Sequence, residues 1–335
     1  MDTKDLLNYI EFVAPLNYAE EWDQSGIQIA GKKEEIKRLA IALDATLLTI
    51  SQSLAWDADF ILTHHPLTLA PQLPKTKDDY HTILKEILNS GAWLYSAHTS
   101  LDVQKNGPVC WLAEALKMDQ LLPIQSLYTK PLLQVQFPLK DLSPDLFQDL
   151  TKLFAELDQF QDFRLSKGYF LCDPNFAPVV FNLFKRYRLQ ECLKIQPISS
   201  VNEQCGYGII GDIMPTLDSN TFLNTLGQYL ETDHISCVGE WPQTISRLAY
   251  CPGSGMNLAR KAFSMGADIF ISGDLKYHQA QEIEPLGLTI DAGHYSLEEN
   301  MMRTWAGHIE DYFQGKDMEV RFFKGQNPFK VHELK

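Results

Sequence analysis

No stretch of about eighteen apolar residues occurs in the sequence, so nothing in it reads as a membrane-spanning helix. The first residues, Met1-Asp2-Thr3-Lys4-Asp5, carry charge where a secretory signal needs an apolar core. Basic charge is scarce: 29 Lys and Arg stand against 43 Asp and Glu, for a net charge of −14. Affinity for nucleic acid comes largely from Lys and Arg neutralising phosphates, so this balance argues against a nucleic-acid partner. The six cysteines form no C-x-x-C pair and no spaced framework, which reads as reduced structural thiols in a cytoplasmic protein. After Cys251-Pro252-Gly253-Ser254-Gly255 the Gly-Lys-Ser/Thr ending of a phosphate loop is missing, leaving a tight strand-to-helix turn. The G-x-S-x-G of a serine nucleophile elbow is absent as well.

What is present is an α/β pattern long enough for two domains. Leu6, Leu7, Ile10 and Val13 recur at helical spacing. Leu39–Leu43 and Phe60–Leu62 are apolar strands flanking a helix at Ala45–Ala55, and a helix at 78–90 precedes a strand at Trp93–Ala97. Apolar strands alternating with helices predict a parallel layer covered on both faces.

Two distant stretches match. Arg38-Leu39-Ala40 leads to Ala58-Asp59 and an apolar run ending in Thr63-His64-His65; Arg247-Leu248-Ala249 leads to Ala267-Asp268 and a run ending in Ser272-Gly273-Asp274. The Arg-to-Asp spacing is the same in both. Each is followed by a His with an acid four residues on, His98 with Asp102 and His294 with Glu298. Such a pair shares one face of a helical turn and can converge on one ion. Either alone reads more readily as a surface ion pair. Both together, at equivalent ends of a repeat, predict one metal site built where two related halves meet. Asp274 and His278 are again four apart, placed to orient ligands or to touch substrate. His81, His234, His308 and His332 have no such company and read as structural or surface residues.

Between the halves the pattern changes. A strand at Leu132–Phe137, a helix at 143–157 capped by Ser143 with Pro144 in its first turn, a strand at Gly168–Cys172, a helix at Ala177–Tyr187 and a strand at Cys192–Ile198 predict an inserted α+β domain without histidine. The expected organisation is therefore a discontinuous core of 1–125 and 203–335 with an insert at 126–202.

The chain resembles the dinuclear-metal proteins called GTP cyclohydrolase I type 2 homologues, or the NIF-three-like family. The resemblance rests on Trp22-Asp23-Gln24-Ser25-Gly26, Ala42-Leu43-Asp44-Ala45-Thr46, Thr63-His64-His65-Pro66-Leu67, Ala97-His98-Thr99-Ser100-Leu101-Asp102, Gly253-Ser254-Gly255, Gly273-Asp274 with Tyr277-His278, and Asp291 through Glu298. It covers nearly all of both flanking segments. It implies two metal ions held by His64, His65, Asp102, His294 and Glu298, with Glu298 bridging and His98 beside the site. It also implies a toroidal homohexamer. The family usually has Asn where Gln24 stands, and the insert lacks the Gly-rich signature of longer members.

Histidine and carboxylate donors without cysteine suit Zn, Fe, Mn or Co. Two such ions are hydrolase machinery. The expected function is a metal-dependent hydrolase acting on a small molecule; the resemblance implies a nucleotide among the candidates and the opening of a cyclic amidine C–N bond, with a phosphoester as the other bond. His98, Asp274 and His278 would handle substrate or proton. The alternative is a non-catalytic metal-binding protein that regulates through protein partners. No concentrated Arg/Lys set for a triphosphate is visible; Lys276 and Arg303 stand alone.

Overall fold

A computed structural model describes residues 1–138, 140, 142–155, 168–172, 177–230, 232 and 234–332. They fall into two compact units, residues 1–125 with 206–335, and residues 126–205. Among the described residues no helix is long and apolar enough to cross a membrane. Cys110, Cys192, Cys237 and Cys251 are free thiols.

The first unit opens with α1 (Thr3–Val13), whose N-cap Asp2 accepts from Lys4 N at 2.7 Å and whose Leu6 and Ile10 are fully buried. β1 (Gly26–Ile29), β2 (Arg38–Ala42), α2 (Leu47–Ala55), β3 (Phe60–Thr63), α3 (Asp79–Ser90) and β4 (Trp93–Ser96) follow. The α2 helix starts two residues later than its apolar pattern suggests because Thr46 and Thr49 form a reciprocal capping box. Two short helices, α4 (Thr99–Asp102) and α5 (Trp111–Ala115), lead to β5 (Met118–Gln136).

In the second unit α6 (Pro144–Ala155), β6 (Tyr169–Cys172) and α7 (Ala177–Arg186) precede β7 (Lys194–Asp218). Leu133–Gln136 of β5 pairs antiparallel with β6, and Leu146, Leu150, Phe170, Val180 and Phe184 are buried. Ser143 Oγ accepts from Leu146 N at 3.1 Å, the cap read from sequence. The last two residues of the expected helix 143–157 lie outside the described residues. The expected strand at Cys192–Ile198 is corrected at its start: Gln190–Cys192 is a 3₁₀ turn, and β7 begins at Lys194.

The rest of the first unit is α8 (Ser219–Tyr229), β8 (Ser236–Val238), β9 (Thr244–Tyr250), α9 (Ala259–Ser264), β10 (Ile269–Ser272), α10 (Tyr277–Ile283), β11 (Leu288–Asp291), α11 (His294–Tyr312) and β12 (Glu319–Phe322). One sheet runs β1-β4-β3-β2-β12, with β2, β3, β4 and β12 parallel. In the other, β9, β10 and β11 run parallel between antiparallel β7 and β8. The repeated Arg-to-Asp spacing closes the same clamp in each sheet. Asp59 accepts from Lys37 N and Arg38 N at 2.9 and 3.1 Å, and Asp268 accepts from Ser246 N and Arg247 N at 2.8 and 2.9 Å. Each carboxylate thus ties the start of one parallel strand to the start of the next.

The helix α11 decides where a site can form. It leaves β11 of one sheet and packs on β2 and β12 of the other. Leu297, Met301, Trp305 and Ile309 are fully buried along its inner face, in a core shared with Phe60, Tyr95 and Tyr250. The start of α11 is thereby brought to the carboxyl ends of β3 and β4, the edge where open parallel sheets gather ligands.

Candidate metal centre

His64 and His65 leave β3 in a turn in which both backbone N–H groups donate to Leu43 O at 3.1 Å. His98 is the N-cap of α4 and Asp102 its last residue. His294 opens α11, and Glu298 stands one turn along the same face. All four imidazoles are tethered through Nδ1: His64 to Ala97 O at 2.8 Å, His65 to Asp44 Oδ1 at 2.7 Å, His98 to Asp23 Oδ1 at 2.7 Å, and His294 to Asp274 Oδ2 at 2.8 Å. Each partner can only accept, so Nδ1 carries the proton and Nε2 keeps its lone pair free.

The lone pairs of His64, His65 and His294 meet around Glu298, which is 4% exposed. Its Oε1 lies 3.6 Å from His64 Nε2, which is also 3.6 Å from Asp102 Oδ1. Its Oε2 lies 3.1 Å from His65 Nε2 and 2.8 Å from His294 Nε2. His65, His294 and Glu298 form one group whose donor atoms lie within 4.8 Å of one another; His64, His65 and His98 form a second. Either group could hold a metal ion. His64 Nε2, His294 Nε2 and Glu298 Oε2 are buried, and although the last two are an ion pair in distance, none of the three has a hydrogen bond of acceptable geometry. Buried polar atoms left this way are costly unless something else satisfies them. A cation among them would do so.

The electrostatics agree. Burial by itself would lower the pKa of His65 and His294; the carboxylates of Asp44 and Glu298 push His65 up to about 10, and those of Glu298 and Asp274 push His294 up to about 9. Burial favours a neutral Glu298, yet the surrounding imidazoles hold it well below the usual carboxylate range. Burial pushes Asp102 up, with the charge of Glu298 adding to the rise. Without a cation, the cluster attracts protons instead.

Two cavities flank the cluster. One of about 420 Å³ meets Asp102, Glu298, His98 and His294. The other, of about 600 Å³, meets His65 and His294 together with their tethers Asp44 and Asp274, and includes His234 and Lys330.

Residues 1–328 match the family described as Duf34/NIF3 (NGG1p interacting factor 3). The chain belongs to the DUF34/NIF3 family. A Staphylococcus aureus protein named GTP cyclohydrolase 1 type 2 homolog is 25% identical to it, across 88% of this chain and 90% of its own length. A Staphylococcus epidermidis protein of the same name is 24% identical, across 99% and 97%. A Bacillus cereus protein related to NIF3 superposes with a TM-score of 0.76 at 21% identity, covering 99% of both chains, a likeness in fold.

In this NIF3 chain the equivalence of His98 with His294 needs correction. Ser96 pairs with Thr63 and Asp291 with Ser272, so His98, two residues beyond Ser96, corresponds to Gly293 and not to His294. Both are helix N-caps, and His294 is one residue further on. Gly293 has a φ of 81°, which lets the chain turn before His294, whereas His98 itself makes the turn. Asp274, at the position matching His65, touches His294 rather than the Asp102 side, which makes it a positioning residue. His278 is not brought to the cluster: it stands exposed on α10, 3.4 Å from Gln281 Oε1, and lines neither cavity.

Sequence reading gave no role to Asp23 or Asp44. The available signal was an acid following an apolar strand, as Asp44 follows β2. Asp23 has no such mark, yet its carboxylate takes five hydrogen bonds, from Gln24 N, His98 Nδ1, Ser25 Oγ, Thr99 N and Thr99 Oγ1. Burial pushes its pKa up, but the bonds from His98, Ser25 and Thr99 outweigh that and hold it well below the carboxylate range. A carboxylate depressed in the fold stabilises it above the unfolded value near ~3.9, and that contribution drains away as pH falls towards the folded value. Thermal melts should therefore show wild type losing stability below about pH 5 more steeply than Asp23→Asn. Equal slopes would mean that Asp23 is not the linked group.

Proposed function

We propose that this chain is a dinuclear metal protein acting as a metal-dependent hydrolase on a small molecule. The observation that carries the reading is Glu298, whose two oxygens face different donors. His64, Asp102 and Glu298 would hold one divalent ion; His65, His294 and Glu298 would hold the other. Imidazole and carboxylate donors suit Zn, Fe, Mn or Co. When bound, two such ions lower the pKa of a water and polarise the bond it attacks. Asp44 and Asp274 keep His65 and His294 aimed. His98, tethered to Asp23 and lining the smaller cavity, handles the proton. The name of the relatives suggests a cyclic amidine: His98 Nε2 takes a proton from the water as its oxygen bonds to the ring carbon, the C–N bond breaks, and His98 returns that proton to the leaving nitrogen. A phosphoester is the other candidate.

The test is a nucleotide and phosphoester screen of the Zn, Mn, Fe and Co forms. His98→Ala should lose about 10²–10⁴-fold in turnover while keeping its ions. Loss of an ion instead would make His98 a ligand. Wild-type turnover no higher than that of Glu298→Ala in every metal form would favour the non-catalytic, regulatory alternative.

The same proposal includes the architecture: a duplicated α/β core, supported by the matching Asp59 and Asp268 clamps, an insert at 126–202, and a homohexameric assembly. Joining residue 125 to residue 203 should leave a folded protein with unchanged metal content, since every proposed ligand lies outside the insert. Metal lost from an otherwise folded deletion would show that the insert helps to build the site.

A further inference from the structure

The cavity of about 420 Å³ is the side from which a substrate reaches the proposed centre, because Asp102, His98, His294 and Glu298 all line it. The larger cavity meets the imidazoles from the side of their tethers, Asp44 and Asp274. Among the described residues no Lys or Arg lines the smaller cavity, and besides the two ligand carboxylates it contains a third acid, Glu20. The remaining walls suit a flat polar ring. Trp22 lines the cavity with 55% of its surface exposed, its indole edge-on to His98 at 5.9 Å between centroids. Tyr207 donates its hydroxyl to Glu20 Oε1 at 3.0 Å, which fixes that carboxylate as an acceptor within the cavity. Gln125 and Asn257 add amides that both donate and accept.

We infer that the substrate of this site is an uncharged planar nitrogen heterocycle at the level of a nucleobase or nucleoside, and not a nucleoside triphosphate. The inference rests on the dinuclear reading above. The ring stacks on Trp22, its N–H groups donate to Glu20, and its reacting edge faces Glu298 and His98. Aromatic stacking is tolerant of ring identity, so Trp22 supplies affinity while Glu20 selects for N–H donors. With Asp102 and Glu298 committed to the ions, a triphosphate tail would meet the free carboxylate of Glu20 and no lysine or arginine fork along the described lining.

The experiment is calorimetry on the metal-loaded full-length protein with guanosine, GTP and inorganic triphosphate as probes, and metal content measured on the same samples. Guanosine should bind about tenfold or more tighter than GTP. Trp22→Ala and Glu20→Gln should each weaken guanosine about tenfold while the metal content stays at the wild-type value. GTP or triphosphate binding as tightly as guanosine would overturn the inference, as would full guanosine affinity in Trp22→Ala or no guanosine binding at all. Those results in protein with its ions in place sink the substrate class alone. Absence of ions from the wild type sinks the underlying reading.

Discussion

Glu298→Ala protein should retain close to none of the roughly two divalent ions expected per subunit of wild type. The expected effect is large because the substitution touches both halves of the cluster. Glu298 Oε1 is the carboxylate oxygen nearest His64 besides that of Asp102, and Oε2 lies within 3.1 Å of His65 Nε2 and 2.8 Å of His294 Nε2. Without it, three imidazoles would have to hold divalent charge with only Asp102 to offset it. Removing an outer tether such as Asp274 should be milder, about 10–100-fold in affinity, because the ligand remains and only its orientation loosens. Elemental analysis of protein purified without added metal, followed by titration with Zn and Mn, reads both. Glu298→Gln guards against a folding artefact, since it keeps the side-chain volume and removes the charge. A fully metallated Glu298→Ala protein would refute the site.

The second large effect is expected at Gly273. It stands where the first half has His64, and the structure shows why no imidazole can sit there. A Cβ on Gly273 would lie 2.5 Å from His294 N, 2.8 Å from His294 Cα and 2.9 Å from Gly253 O. These are backbone atoms, and Gly273 N already donates to Gly253 O at 2.9 Å, so no side chain can swing away to make room. Gly253 is constrained in turn: its φ is +67°, and a Cβ there would run into Glu298 Oε1. Gly273→Ala should therefore push the start of α11, and His294 with it, away from the cluster. Overpacking of this kind costs about 1–3 kcal/mol, or roughly 2–10 °C in melting temperature for a chain of this size. Metal affinity should fall with it, by the 10–100-fold or so that follows a misplaced ligand. Gly307, also in α11, has nothing within 4 Å of the same added carbon. Gly307→Ala should leave metal binding alone and be neutral or stabilising by about 0.5–1 kcal/mol. Equal behaviour of the two variants, read by calorimetry and metal titration, would remove Gly273 from the account.

The parallel strands were legible because β3, β10, most of β2 and the Leu248–Tyr250 end of β9 are short apolar runs with helices between them, and an apolar run buried on both faces has few other readings. The lengths of β5 and β7 were not: segments expected at Leu132–Phe137 and Cys192–Ile198 belong to strands of 19 and 25 residues. Their proline-containing stretches, such as Gln120 to Gln125, carry no alternation that marks an extended chain.

Local spacing marked a histidine pair at a strand end and two His–acid pairs, His98 among them; the narrower set of His64, His65, Asp102, His294 and Glu298 came from the family resemblance. Their local order followed from the chain as well, because the turn after β3 and the first turn of α11 place neighbouring side chains by geometry alone. Only the tertiary structure decided which oxygen holds each ring. Asp23 is 75 residues from His98, Asp44 is 21 from His65, and the carbonyl of Ala97 is 33 from His64. It also separated His98 from His294, which sits one residue further beyond its strand at the same pairing register, a difference that spacing between a histidine and its acid cannot reveal. The reason is physical: residue type and short-range spacing set what a segment can bind, but the burial of α11 against β2 and β12 sets which segments meet, and that is a property of packing across the whole first unit.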